Sequence, residues 1–150
     1  MFEAMTHLVT TKPQCLLYSA AMALELSVDD VVTQLGHDGM EKVSDVPSPH
    51  CYRGIHIQEI QTVAYKIGKL LACIQLVPVS ETGAIYVNCG MDYAARFLMM
   101  IRGKRGILFG QSPRGIEHAV AFSDDVIYDP NGKKYSVGNF STREAWVVIG

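Results

Sequence analysis

Glu117-His118-Ala119-Val120-Ala121-Phe122-Ser123, then Asp124-Asp125, then Val126-Ile127-Tyr128-Asp129-Pro130-Asn131-Gly132 reads as a β-hairpin. Branched and aromatic residues fill both arms, and two aspartates form the loop between them. The loop sets the register. If Ser123 faces Val126, His118 lies opposite Asn131, and Asp129 is the diagonal neighbour of His118 on the same sheet face. Either side chain could hold a ring nitrogen. Asp129 is the stronger choice, because a carboxylate that accepts the imidazole's second N–H fixes the tautomer and stabilises the imidazolium, whereas Asn131 follows Pro130 in a turn. The plainer alternative makes Asp129 a turn residue that caps nearby N–H groups.

An imidazole held in this way needs a nucleophile, and Cys15 is the residue placed to be one. Leu16 to Leu26 is rich in helix formers and apolar on nearly every face, as expected of a helix buried at the centre of a domain. Cys15 opens that helix behind Pro13, and a helix N-terminus lowers the pKa of a thiol. An adjacent imidazolium is the other common means. Of His7, His37, His50, His56 and His118, only His118 opens a clear strand. Taken alone, Cys15 would read as a buried helix cysteine. Its coincidence with His118 and Asp129 is what favours a thiol site.

The remaining elements follow from period and punctuation. Ser27 reads as the N-cap of a second helix, Val28 to Leu35, with Asp29 and Asp30 near its positive end and Gly36 as its stop. His37 to Arg53 is a polar surface loop with Pro47 and Pro49, of the kind that borders a site. Within it, His37 and Asp38 are neighbours in a tight turn, a poor geometry for a catalytic pair. Ile57, Ile60, Val63, Ala64, Ile67 and Leu71 recur at helical spacing and predict a third helix. Cys73 to Val79 and Ala84 to Val87 read as strands, Met91 to Ile101 as a helix, and Ile107 to Phe109 and Trp146 to Ile149 as strands. Trp146 is most simply a core or rim aromatic. Gly103 to Gly106 lacks the strand-to-helix setting of a phosphate loop and reads as an exposed turn. The expected fold is α+β, a single domain over residues 1–150 with N-terminal helices packed on a C-terminal antiparallel sheet.

Composition narrows the function classes. The chain has 150 residues, 49% hydrophobic and 19% charged, enough apolar material for a sizeable core. Its net charge of -2 comes from 13 basic and 15 acidic residues scattered along the chain, which favours neither nucleic acid nor an anionic membrane as partner. Met1 to Thr11 has no basic leader or apolar core of a signal peptide, and no apolar run approaches the ~20 residues of a membrane span. A cytoplasmic location is the default expectation. The four cysteines, Cys15, Cys51, Cys73 and Cys89, are too widely spaced for a disulfide framework and read as thiols. Cys73 reads as a buried small hydrophobe and Cys89 as a strand-end residue. Cys51, between His50 and His56, lacks a second ligand cluster at zinc-like spacing. No metal or other cofactor is expected.

Early Cys15 on a buried helix, then Glu117-His118-Ala119-Val120-Ala121-Phe122 and Val126-Ile127-Tyr128-Asp129-Pro130-Asn131-Gly132, resembles the papain-like cysteine peptidases. More narrowly, the chain is similar to their compact bacterial and phage branch, related to the peptidases that remove double-glycine leaders. The resemblance implies a papain-like fold with the nucleophile on a central helix, a Cys15–His118–Asp129 triad and a peptide or protein substrate. It also has gaps. The family's oxyanion glutamine, six residues before the cysteine, is replaced by Val9, and Leu16 stands where glycine usually follows the cysteine. Gln14, Thr10 or Thr11 could join the Cys15 backbone N–H as oxyanion donors instead.

Two functions are therefore expected from different classes. One is a cysteine-dependent hydrolase of peptide or related acyl bonds, its substrate choice set by the His37 to Arg53 loop and by Gln111 to Gly115. The other is a catalytically weak or inactive relative kept as a protein-binding module, for example a phage protein that binds a host factor.

Overall fold

The computed structural model describes residues 5–76 and 92–150. Four α-helices, α1 (Cys15–Leu24), α2 (Val28–Leu35), α3 (Ile57–Lys66) and α4 (Tyr93–Ile101), accompany six strands: β1 (Leu70–Ile74), β2 (Arg105–Gln111), β3 (Glu117–Ser123), β4 (Val126–Tyr128), β5 (Lys134–Ser136) and β6 (Ser141–Ile149). The strands form one antiparallel sheet in the order β1-β6-β2-β3-β4-β5, so the chain is α+β. Among the described residues, no helix is long and apolar enough to cross a membrane.

Both faces of the central strands are covered, which explains why β2 and β3 are apolar without alternation. Ile107 joins Leu17, Ala20, Ala21, Leu24, Ile60 and Val63 in the layer built by α1 to α3. Its neighbour Leu108 points the other way, into a cluster with Val120, Phe122, Ile127, Phe97 and Ile101, the last two from α4. Helix α1 contacts β2, β3, α2 and α3, so apolar residues nearly all round it are what its position demands.

Capping chemistry places the helix ends. Ser27 Oγ accepts the Asp30 N–H at 3.0 Å, and Gly36 ends α2 at φ +83°. Helix α1 stops at Leu24, short of the expected Leu26, with Glu25 in the left-handed region at φ 59°. The third helix ends at Lys66, so Leu71 does not continue it. Gly68, at φ +81°, turns the chain, and Leu71 enters the same core from β1. Arg105 and Gly106, expected in an exposed turn, instead open β2, with the Arg105 guanidinium 2.5 Å from the Glu25 carboxylate. Strand β5 was not expected from the sequence, while the run Ala84 to Val87 and Cys89 lie outside the described residues.

Cys73 corrects an expectation, for it is exposed. It faces Trp146 in register on β1, the edge strand of the sheet among the described residues. Trp146 packs partly buried on the helical core and donates its Nε1–H to Glu144 at 2.6 Å.

Gly110 faces His118 across the β2–β3 ladder and lies at the irregularity where β2 shifts register against β6. A Cβ there would fall 1.9 Å from the Ser141 carbonyl oxygen, so the strands must part to admit one. Gly110→Ala is expected to destabilise the fold by about 1–3 kcal/mol in urea unfolding, as overpacking does. An unchanged midpoint would show that β6 yields freely here.

Candidate functional site

The hairpin register matches the sequence argument along the paired length: Ser123 faces Val126, Phe122 faces Ile127 and Ala121 faces Tyr128. Asp124, at φ 56°, occupies the two-residue loop, and its carboxylate accepts the Gly103 N–H at 2.9 Å. Beyond Tyr128 the ladder ends and the chain turns at Asp129. From this turn the Asp129 carboxylate reaches back, and its Oδ1 lies 2.5 Å from His118 Nε2.

Asp129 is fully buried, and each of its oxygens is engaged. Oδ1 accepts from His118 and from the Asn131 N–H at 2.9 Å, and Oδ2 accepts the Tyr135 hydroxyl at 2.7 Å. The turn reading and the orienting reading of Asp129 are thus both satisfied by one side chain. Burial works to raise its pKa, but the His118 hydrogen bond, the Asn131 N–H and Tyr135 hold it below the usual carboxylate value. Tyr135 is pushed the opposite way, by burial and by the carboxylate it faces.

Cys15 opens α1 close enough to His118 for the imidazole to act on its thiol. Since Nε2 is given to Asp129, Nδ1 is the ring nitrogen left for the thiol. Burial disfavours the Cys15 thiolate, yet the hydrogen bond to His118, its charge, and backbone hydrogen bonds from Ala119 and Leu16 outweigh burial and lower the thiol's pKa. Burial likewise works against the His118 imidazolium, but Asp129 and Cys15 together raise its pKa to about 9. Imidazole and carboxylate therefore shift the balance of the site toward thiolate and imidazolium.

Two residues that hold this geometry carried no signal in the sequence. Ser19, one turn after Cys15 in α1, is fully buried and donates its hydroxyl to the Ala119 carbonyl at 3.1 Å, tying the cysteine helix to the histidine strand. His7 donates Nε2–H to the Asp129 carbonyl at 2.7 Å and packs edge-on against Tyr128, while the Thr10 N–H reaches the Pro130 carbonyl at 2.8 Å. The segment before Cys15 is thereby laced to the Asp129 turn.

The expected oxyanion donors are less concentrated. Gln14, at the N-cap position of α1, gives no cap, and its amide donates to the Asp38 carbonyl at 3.2 Å. Thr10 Oγ1 accepts the Lys12 N–H, Thr11 is exposed, and the Asn131 side chain accepts the Lys133 N–H. Val9 is 53% exposed and has no polar side-chain atom to offer. The first turn of α1 has no side-chain cap, which leaves the Cys15 backbone N–H available as a donor.

No family model, curated protein or solved structure matches the chain. His37 takes no part in the site: its Nδ1 accepts the Gly39 N–H and its Nε2 binds Glu59 at 2.7 Å, which also caps α3. Among the described residues, no group of three His, Cys, Asp or Glu side chains is arranged to hold a metal ion.

Proposed function

We propose that the chain is a papain-like cysteine hydrolase acting on peptide or related amide and acyl bonds. The observation that supports this reading is the bond from His118 to the buried Asp129 carboxylate beside Cys15, with the thiol pKa lowered and the imidazole pKa raised. In the proposed reaction the Cys15 thiolate attacks a carbonyl carbon, and the Cys15 backbone N–H stabilises the oxyanion. The imidazolium of His118 then protonates the leaving amine, giving a thioester. His118, now neutral, takes a proton from water as the water attacks the thioester, and returns it to sulfur as the acid product leaves. Asp129 holds the ring and stabilises its charged form throughout.

The absence of a side-chain donor at Val9 favours a second reading, a protein-binding module with a weakened site. One missing oxyanion donor typically costs about a hundred- to a thousandfold in rate, which slows such an enzyme without abolishing its chemistry. Thiol reactivity separates the two. At pH 6, iodoacetamide is expected to modify Cys15 at least about tenfold faster than Cys73, which is exposed but has its pKa raised by burial and by the charge of Glu144. An electrophilic acyl probe should add its mass to the intact wild-type protein and not to Cys15→Ala. Equal alkylation of Cys15 and Cys73 would favour the binding module.

A further inference from the structure

Beside the Asp129 turn lies a cavity that the triad does not use. It has a volume of about 880 Å³ and opens between the β2–β3 and β4–β5 turns, with Arg114, Ile116, Asn131, Lys133 and Tyr135 in its wall. A volume of this size suits a ligand or several residues of a bound chain. The wall is basic, and its one acid, Asp129, already has both oxygens engaged by His118, Asn131 and Tyr135. Lys134, also in the wall, keeps its ammonium 4.8 Å from the centre of the Tyr128 ring.

Arg114 and Lys133 are exposed, and among the described residues neither is paired with a carboxylate. The nearby Glu117 does not neutralise them, because Arg143 grips both of its oxygens, at 2.8 and 2.7 Å. A guanidinium fork and an ammonium facing one space match a carboxylate, and Ile116, 59% exposed, supplies an apolar wall beside them. Ile116 is also only two residues from His118. Two residues of extended chain span at most about 7 Å, so the Ile116 wall lies within that reach of His118.

We propose that the cavity is a substrate subsite for a peptide carboxylate, supplied by an acidic side chain or by a chain terminus and held by Arg114 and Lys133. The assignment deepens the hydrolase reading and rests on it for the direction of the bound chain.

Binding can be tested apart from catalysis in Cys15→Ala protein, by amide NMR titration with three pentapeptides. The first is acetyl-Ala-Glu-Ala-Glu-Ala amide, the second its Gln isostere, and the third the Gln isostere with a free C-terminal carboxylate. At least one carboxylate peptide is expected to bind about fivefold or more tightly than the neutral isostere, weakening with salt. Shifts should centre on residues 112–116 and 131–133. Tighter binding of the first peptide identifies an acidic side chain as the source, and tighter binding of the third a terminus. Arg114→Gln with Lys133→Gln should remove the preference while leaving the rest of the spectrum in place. Equal binding of all three, no binding by either carboxylate peptide, or a preference that survives the double substitution overturns the subsite. None of these outcomes bears on Cys15 alkylation in the wild-type protein, so failure of the subsite and failure of the thiol reading remain distinct.

Discussion

His118→Ala is expected to slow Cys15 alkylation at pH 6 by about a hundredfold, the largest effect on reactivity of any single substitution outside the cysteine itself. The size follows from competing influences on the thiol. Burial pushes the Cys15 pKa up, and the His118 hydrogen bond is the first influence that pushes it down, followed by the Ala119 backbone and the His118 charge. Without the ring, burial still pushes the thiol pKa up, and a thiol of ordinary pKa, about 8.5, is only about 0.3% thiolate at pH 6. The wild-type imidazole, with its pKa raised to about 9, is charged throughout the range in which it is needed. Wild-type alkylation should therefore depend less on pH between 6 and 8 than that of the variant, whose rate should climb about tenfold per pH unit. Protection of Cys51, which is buried in the folded protein, separates loss of the imidazolium from loss of the fold, because unfolding exposes it to the reagent. If His118→Ala keeps a fast, flat and Cys15-selective profile, the helix terminus and the Ala119 and Leu16 backbone are activating the sulfur, and the base has been misassigned.

How much of this site could be read from the sequence depends on which physical signal each part leaves. The β3–β4 register was legible because a two-residue loop fixes pairing, although the paired length ends at Ala121 and Tyr128 and Asp129 reaches His118 from the turn beyond it. Cys15 was legible as a helix-opening residue after Pro13. Ser19 and His7 were not, since their partners lie 100 and 122 residues away and a single polar residue in an apolar segment has no period to betray it. Tyr135 was missed with β5 itself, whose three residues, Lys134 to Ser136, are too short to show alternation. Periodicity also misled at Leu71, where the phase of α3 happens to continue across Gly68 into a strand facing the same core. Cys73 went wrong for a related reason: local composition marks an apolar strand but not whether that strand lies at the sheet edge.

Asp129→Ala should produce the largest loss of stability, about 3–5 kcal/mol in urea unfolding, because it removes the acceptor shared by three donors in a buried place. The ring N–H of His118, the Tyr135 hydroxyl and the Asn131 N–H all end on this carboxylate, and nothing else at the turn replaces it. Asp129→Asn separates shape from charge. Its carbonyl can still accept from His118 and Asn131, and its amide can donate to the Tyr135 oxygen, so most of the stability should be kept. The charge contribution then appears in the acid limb. The carboxyl pKa is lowered in the folded protein, so the stability it contributes is fully present above its ordinary value near 3.8 and is lost as pH falls through the folded value. Wild-type stability should accordingly drop more steeply than that of Asp129→Asn on acidification below about pH 4. Loss of the negative charge should also let the His118 pKa fall, and Cys15 alkylation at pH 6 should fall with it, though less than in His118→Ala. An Asp129→Ala protein within about 1 kcal/mol of wild type would mean that the three donors find other partners, and that the carboxylate does not anchor the ring.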